Sequence, residues 1–242
     1  MEQGGDGVIF DQANTHTVVE AFRFIIDNPH LLLTKAFEQL ELSGAALGLA
    51  LAVALPLGIV LGHLHRGSGL AIGASIVGRA LPSIFLIAVF LTILGLGFTN
   101  NMVALAVLAL GPILTNAYLG VEGVDRDAVE AARGMGMSGR GILSRVELPL
   151  ALPLLYIGIR VAAVTVVATA PIAAYAGGGG LGDIIANQAT YRLSGVLGAS
   201  ICVMALSAGV WIGLLALQRA TTPRGVRAAR VRAAGELNKE GL

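Results

Sequence analysis

Apolar residues run along this chain in long blocks separated by short polar interruptions. Residues 1–41 are polar and amphipathic. Within them Asn28-Pro29 predicts a helix start, with Asn28 as N-cap and Pro29 at the first helical position. That helix is expected to run through TKAFEQLELS into the first apolar block, 43–64, where Pro56 predicts a kink. The stretch GHLHRGSG follows. The second block, 70–98, is longer than the about 20 residues a perpendicular span needs, and it contains Arg79 and Pro82. A third block covers 102–120 with Pro112 and Asn116, a fourth covers 150–176 and ends in GGGGLGD, and a fifth covers 194–217 before a basic tail, 219–242. Between the third and the fourth lies DAVEAARGMGMSGRGILSRVELPLALP, a charged stretch punctuated by glycine.

Composition turns these blocks into membrane spans. Hydrophobic residues make up 55% of the chain and charged residues only 13%, with mean hydropathy +0.80; a soluble domain carries about 25% charged residues. The reading is an all-α, polytopic transmembrane bundle. The 33 glycines suit membrane helices, which pack closely through small residues. A net charge of +1 gives no reason to expect nucleic acid. The single cysteine, Cys202, has no partner for an internal disulfide and reads as a packing residue. The first residues lack a basic start followed by a short apolar core, so no signal peptide is expected.

The number of spans turns on whether 70–98 crosses once or twice. With one crossing the chain has five spans, an outside N-terminus and a cytoplasmic C-terminus. Eleven Lys and Arg then lie inside (Arg66, Arg126, Arg133, Arg140, Arg145, Arg219, Arg224, Arg227, Arg230, Arg232 and Lys239) against three outside (Arg23, Lys35 and Arg192). This asymmetry favours five spans over six. Arg79 and Arg160 fall near the cytoplasmic starts of overlong blocks, where their heads are expected to snorkel, the alternative being a role lining a pathway.

The charged stretch predicts a helix, a bend and a second helix leading into a span. Asp127 is the expected cap, with Glu130 three residues on as in a capping box. Val129, Ala132 and Met135 or Gly136 share one face. Gly134 and Gly136 weaken the helix, and Ser138 can cap the second, GRGILSRVEL, which Pro149 follows. Such a projecting knob would offer Ala131, Ala132, Gly134 and Gly136 to a close partner. The alternative is a solvated loop whose arginines only fix topology.

The spaced residues Glu130, Ala131, Ala132, Gly136, Val146, Leu148 and Pro149 resemble the EAA loop of ATP-binding-cassette importer permeases, with valine where the pattern has isoleucine. The resemblance covers about 42–218. It implies a type I importer permease fold, with the coupling loop at 126–149 docking in a groove of a separate ATPase subunit. It also implies a second permease copy (homodimer or paralogous heterodimer), an external binding protein, and a multi-pass place in a prokaryotic cell membrane. Three stretches, RALPSI, GPILTNAYLGVEGVD and AYAGGGGLGDII, look like the osmoprotectant importers for glycine betaine, carnitine and choline; the last also resembles methionine-importer permeases. The implied cargo is a quaternary-ammonium or related osmolyte, proline included, with methionine or another small solute as the alternative.

The rest of the chain narrows the chemistry. It has no G-x-x-x-x-G-K-[ST], and its only lysines are Lys35 and Lys239, so ATP hydrolysis is expected from a partner. No cofactor motif, catalytic constellation or His/Cys metal spacing is present, and His63 and His65 read as interfacial. Only Asp183 comes near a span as an acid, which argues against a proton relay and so against a secondary transporter. The aromatic residues are dispersed, so no aromatic cage is expected and tight binding falls to the external protein. Candidate path residues are Ser83, Asn116, Thr165 and Thr169, with helix packing as the alternative. Gly177, Gly178, Gly179, Gly180 and Asp183 read as an outer turn that can form part of a gate, or as a plain turn.

Overall fold

The computed structural model describes residues 6–221, with side chains described from 16 onward except at 70, 74, 75, 77 and 79. The side chain of Arg79 and the basic tail after Thr221 lie outside the described residues. Among those residues every regular element is helical. The order is α1 (Asp6–Asp27), α2 (Pro29–His63), α3 (Ser68–Ala80), α4 (Ser83–Leu94), α5 (Phe98–Glu122), α6 (Arg126–Gly134), α7 (Gly139–Ile142), α8 (Leu148–Thr169), α9 (Gly182–Ala186) and α10 (Gln188–Thr221). A π turn, Leu143–Glu147, joins α7 to α8, and a 3₁₀ segment, Ala170–Ala176, extends α8. Four helical runs are long and apolar enough to cross a membrane: α2, α5, the continuous run Gly139–Ala176, and α10. The shorter apolar helix α4 joins them, in line with a bundle of about five spans.

Local chemistry sets the boundaries. Pro29 opens α2 as expected, but Asn28 is not its side-chain cap. The Asn28 amide donates to Phe24 O at 3.0 Å and so closes α1, while its backbone carbonyl accepts from Leu32 N at 3.1 Å. The 70–98 block is not one helix. Pro82 sits extended (φ −61°, ψ 131°) and separates α3 from α4, because proline lacks an N–H and keeps its predecessor out of the α region. Pro56, Pro112 and Pro153 by contrast lie inside helices. Pro149 lies just after the π turn, and the second short helix does not stop there but runs on into the span.

The chain divides into two compact units and passes between them five times: within α2, between α3 and α4, and within α5, α8 and α10. The first unit comprises 1–49, 81–109 and 163–210. Its core joins Leu32, Leu181, Ile184, Ala199 and Val203, with Phe24, Ile25 and Tyr191 packed against them. Phe24 and Tyr191 meet edge-to-face at 6.2 Å, a favourable arrangement of ring quadrupoles. Gly198 lets α10 approach Ala21 O of α1, where an added Cβ would lie at 3.2 Å. Asn100 and Asn101 on α5 are buried here.

The second unit comprises 50–80, 110–162 and 211–242. Its core holds Val121, Ala151 and Leu155, flanked by Leu55, Ile59, Leu143 and Leu148. Gly58 and Gly62, four residues apart on α2, bring that helix against α5. A Cβ at Gly58 would stand 2.6 Å from Ala117 Cβ and 2.8 Å from Leu114 O; one at Gly62 would stand 2.8 Å from Tyr118 O. Gly158 of α8 meets α5 in the same way, 2.6 Å from Asn116 Cβ. This is the small-residue packing membrane helices use when water supplies no drive to associate. Arg160 is held inside this unit. It donates to Gln218 Oε1 at 3.1 Å, and its guanidinium carbon lies 4.3 Å from the Trp211 ring centroid, a cation–π arrangement. The expected free snorkel is thus replaced by a clamp onto α10.

Candidate coupling segment and glycine turn

Residues 126–149 form the helix, bend and helix that the sequence predicts, and every described contact of the segment lies within the second unit. The cap is two residues earlier than expected. Asp125, not Asp127, precedes α6, and its carboxylate accepts from Asp127 N at 3.0 Å. Two aspartates two apart offer the same cap chemistry, and backbone geometry selects the first; the box between Asp127 and Glu130 is not formed. Ser138 caps α7 as predicted, accepting from Gly141 N at 3.3 Å.

The bend is a Schellman closure. Gly136 N donates to Arg133 O at 2.9 Å and Met137 N to Ala132 O at 3.2 Å. Gly136 takes φ +81°, a left-handed conformation that favours glycine, and nothing lies within 4 Å of its added Cβ. Backbone conformation, not crowding within the chain, therefore requires this glycine. Glu130, Ala131 and Gly134 are exposed, and Met135 is 76% exposed, an unusual state for a large apolar side chain outside a span. Ala132 is 2% exposed and packs inward, so it is not part of the offered surface. Val146, Leu148 and Pro149 are half-buried where the segment joins α8. A cavity of about 150 Å³ beside α6 is lined by His65, Arg126, Glu130, Arg133 and Glu147 together with Val121, Val124 and Val129.

Glu147 is the polar residue sequence reasoning missed. It closes the π turn, is 2% exposed, and its Oε2 lies 2.6 Å from Nδ1 of His63. His63, expected to be merely interfacial, ends α2. No run of His, Cys, Asp and Glu among the described residues could hold a metal.

The glycine turn belongs to the first unit. The 3₁₀ segment begins with Pro171 near its start and ends in a second Schellman closure, Gly177 N to Ala174 O at 3.1 Å and Gly178 N to Ala173 O at 2.8 Å. Gly177, Gly179 and Gly180 all have φ between +71° and +80°. The turn is fastened on two sides. Ala176 O accepts from Gly97 N at 3.0 Å and from Asn101 Nδ2 at 3.1 Å. From α2, Glu38 Oε2 accepts from Gly180 N at 2.9 Å, and Lys35 Nζ bridges Glu38 at 2.8 Å and Asp183 at 2.7 Å. Lys35 and Glu38 precede the apolar stretch of α2. The hydrogen bond to Asp183, then that to Glu38, holds the Lys35 ammonium above its ordinary pKa. Lys35 and the Gly180 N–H hold the Glu38 carboxyl below its own. Nothing in the residue pattern of 29–41 announced this clasp, because its partners are 148 and 142 residues away.

Of the other path candidates, Asn116 lies in the second unit, where its amide donates to Pro112 O at 2.8 Å and its Cβ faces Gly158. Ser83 starts α4, Thr165 lies on α8 and Thr169 ends it, all half-buried in the first unit.

Comparison with known proteins bears on the whole arrangement. The family model for the binding-protein-dependent transport system inner membrane component matches residues 54–224. The carnitine transport permease protein OpuCB of Listeria monocytogenes is 38% identical over 208 residues, covering 86% of this chain and 95% of that protein. The glycine betaine/carnitine/choline transport system permease protein OpuCB of Bacillus subtilis (strain 168) is 35% identical, covering 84% and 94%. In three dimensions the chain is similar to a chain of the inward-facing MetNI methionine ABC transporter, with TM-score 0.69 and 22% identity over 81% of this chain and 99% of that one. At that identity the likeness concerns the fold. Four apolar helical runs, a charged helix–bend–helix between the third and fourth blocks, and a family match over most of the chain converge: this protein belongs to the family of binding-protein-dependent transport system inner membrane components.

Proposed function

We propose that the chain is the permease subunit of an ATP-driven importer for a small quaternary-ammonium or zwitterionic osmolyte such as glycine betaine, carnitine or choline. The observation that carries the cargo is the 38% and 35% identity, over more than four-fifths of the chain, to permeases whose names specify those solutes. The chain works with a separate ATPase subunit, a second permease copy and an external binding protein. Residues 126–149 are its docking element for the ATPase, supported by the exposed Glu130, Ala131 and Met135 on and just after α6, which lies between α5 and α8 in the chain. The C-terminus is cytoplasmic, and the glycine turn 177–180, clasped by Lys35, Glu38 and Asp183, forms part of the external gate. The path residues are Ser83, Thr165 and Thr169 of the first unit and Asn116 of the second.

Small side chains suit this cargo. A quaternary ammonium has no N–H to satisfy, so a path of Gly, Ala, Ser and Thr lets it pass without a strong site that would delay release. The test is uptake by the reconstituted complex of labelled glycine betaine and labelled methionine in parallel. Betaine uptake that needs ATP is expected. Methionine uptake without betaine uptake overturns the cargo assignment and leaves the permease reading in place.

A further inference from the structure

We propose that His63 and Glu147 are a positioning pair that ties the coupling segment to α2, so that displacement of 126–147 is delivered to α2 as well as to α8. The inference rests on the reading of 126–149 as the ATPase-docking element and adds to it the route by which a push is received.

Four observations carry it. The first is the cost of the carboxylate. Glu147 is buried, and a buried charge is retained when it is paired, since an uncompensated one is strongly destabilising. Its partner, Nδ1 of His63, is 84 residues away on another helix at 2.6 Å. The second is the π turn. One extra residue per turn shifts the register of all that follows by about 100°, and such insertions are frequent at functional sites. Here the turn spans Leu143–Glu147 and ends on the buried Glu147. The third is the setting of His63. It is the last residue of α2. An added Cβ at Gly139, the first residue of α7, would lie 3.7 Å from Nε2, so the imidazole sits between the start of α7 and the end of the π turn. The fourth is rigidity behind the tie. Gly58 and Gly62 seat the last turns of α2 on α5 so closely that the end of α2 cannot shift without moving its neighbour.

The coupling segment is joined covalently to α5 and α8, and its polar tie to α2 is the His63–Glu147 bond, beside the packing of Leu143 in the core it shares with Leu55 and Ile59. The titratable and charged groups around Glu147 on the cavity side are His65, Arg126, Glu130 and Arg133, and its described hydrogen-bond partner is His63. A pull on α6 and α7 reaches α8 through the backbone in any variant. It reaches α2 directly through this bond and through Leu143, which shares a core cluster with Leu55 and Ile59.

The experiment uses the full complex in proteoliposomes and reads uptake per ATP hydrolysed for His63→Gln, Glu147→Gln and the double variant. Glu147→Gln keeps the size and removes the charge, so it leaves no carboxylate stranded. Expected is normal co-purification of the ATPase, continued ATP hydrolysis, and a fall of about tenfold in uptake per ATP, within the range ordinary for coupled sites. The double variant should fall no further than either single one, because residues acting through one bond are not additive. An unchanged ratio in Glu147→Gln, or additive losses in the double variant, overturns the proposal. So does loss of folded protein in all three variants, which would make the pair purely structural. Gly134→Trp, which should stop ATPase co-purification, separates the two readings. If it does so while Glu147→Gln stays coupled, the tie fails and the docking reading stands; if Gly134→Trp leaves co-purification and uptake normal, the docking reading itself fails.

Discussion

Replacing Gly58 by alanine tests the packing of α2 on α5, on which the second unit depends. The added methyl carbon would stand 2.6 Å from Ala117 Cβ and 2.8 Å from Leu114 O. Ordinary carbon–carbon contact begins near 3.5 Å, so the helices must part by about 1 Å or bend. Overpacking of this kind costs about 1–3 kcal/mol. Exchange of glycine for alanine inside a helix returns up to about 1 kcal/mol. The net expectation is a loss of about 0–3 kcal/mol. The same helix supplies the control. Gly48, ten residues earlier, has nothing within 4 Å of its added Cβ, so Gly48→Ala should be neutral or stabilising by up to about 1 kcal/mol. Denaturant unfolding of the purified chain in detergent, followed by Trp211 fluorescence, measures both. Equal midpoints for the two variants, or a more stable Gly58→Ala, would refute the close approach.

Three further outcomes follow from other parts of the structure. Lys35→Met removes the cation shared by Glu38 and Asp183; exposed pairs are worth about 0.2–1 kcal/mol each, so amide protection across 177–183 should drop severalfold without global unfolding. In the unmodified protein the clasp contributes most between the two titrations, and protection should decline as pH rises through the raised Lys35 pKa or falls through the lowered Glu38 one. Arg192 takes φ 57° and ψ −179°, a region open mainly to glycine, so Arg192→Gly should stabilise the chain by on the order of 1 kcal/mol in the same unfolding assay.

Local features were readable from residue order, whereas those that depend on distant partners were not. The helical blocks, the first residue of α2, the Ser138 cap and the helix–bend–helix of 126–149 follow from hydropathy, proline and glycine placement, and capping chemistry. Asp125 and Asp127 are interchangeable at that level, and only the chain's path out of α5 chooses between them. Asn28 likewise could serve either helix beside it, and its amide goes to α1. The π turn leaves no mark on periodicity, because Leu143–Glu147 reads as an ordinary amphipathic turn. The ties of His63 to Glu147, Lys35 to Asp183 and Arg160 to Gln218 join residues 84, 148 and 58 apart, and a sequence lists their charges without their pairings. Buried or half-buried charge in a chain this apolar was the available signal. Glu147 and Arg160 both carried it.

The central claim is that 126–149 couples this permease to an ATPase. Its most direct measurement is ATP-dependent betaine uptake in proteoliposomes containing the permease, the binding protein and the ATPase, compared with the same vesicles carrying Gly134→Trp. Gly134 is exposed, takes no left-handed conformation, and has nothing within 4 Å of its added Cβ, so the substitution can block a partner without straining the chain. The account predicts uptake that requires both ATP and the ATPase subunit, abolished in the variant while the folded permease remains in the membrane. Uptake that proceeds without the ATPase, or that is unchanged by Gly134→Trp, contradicts it.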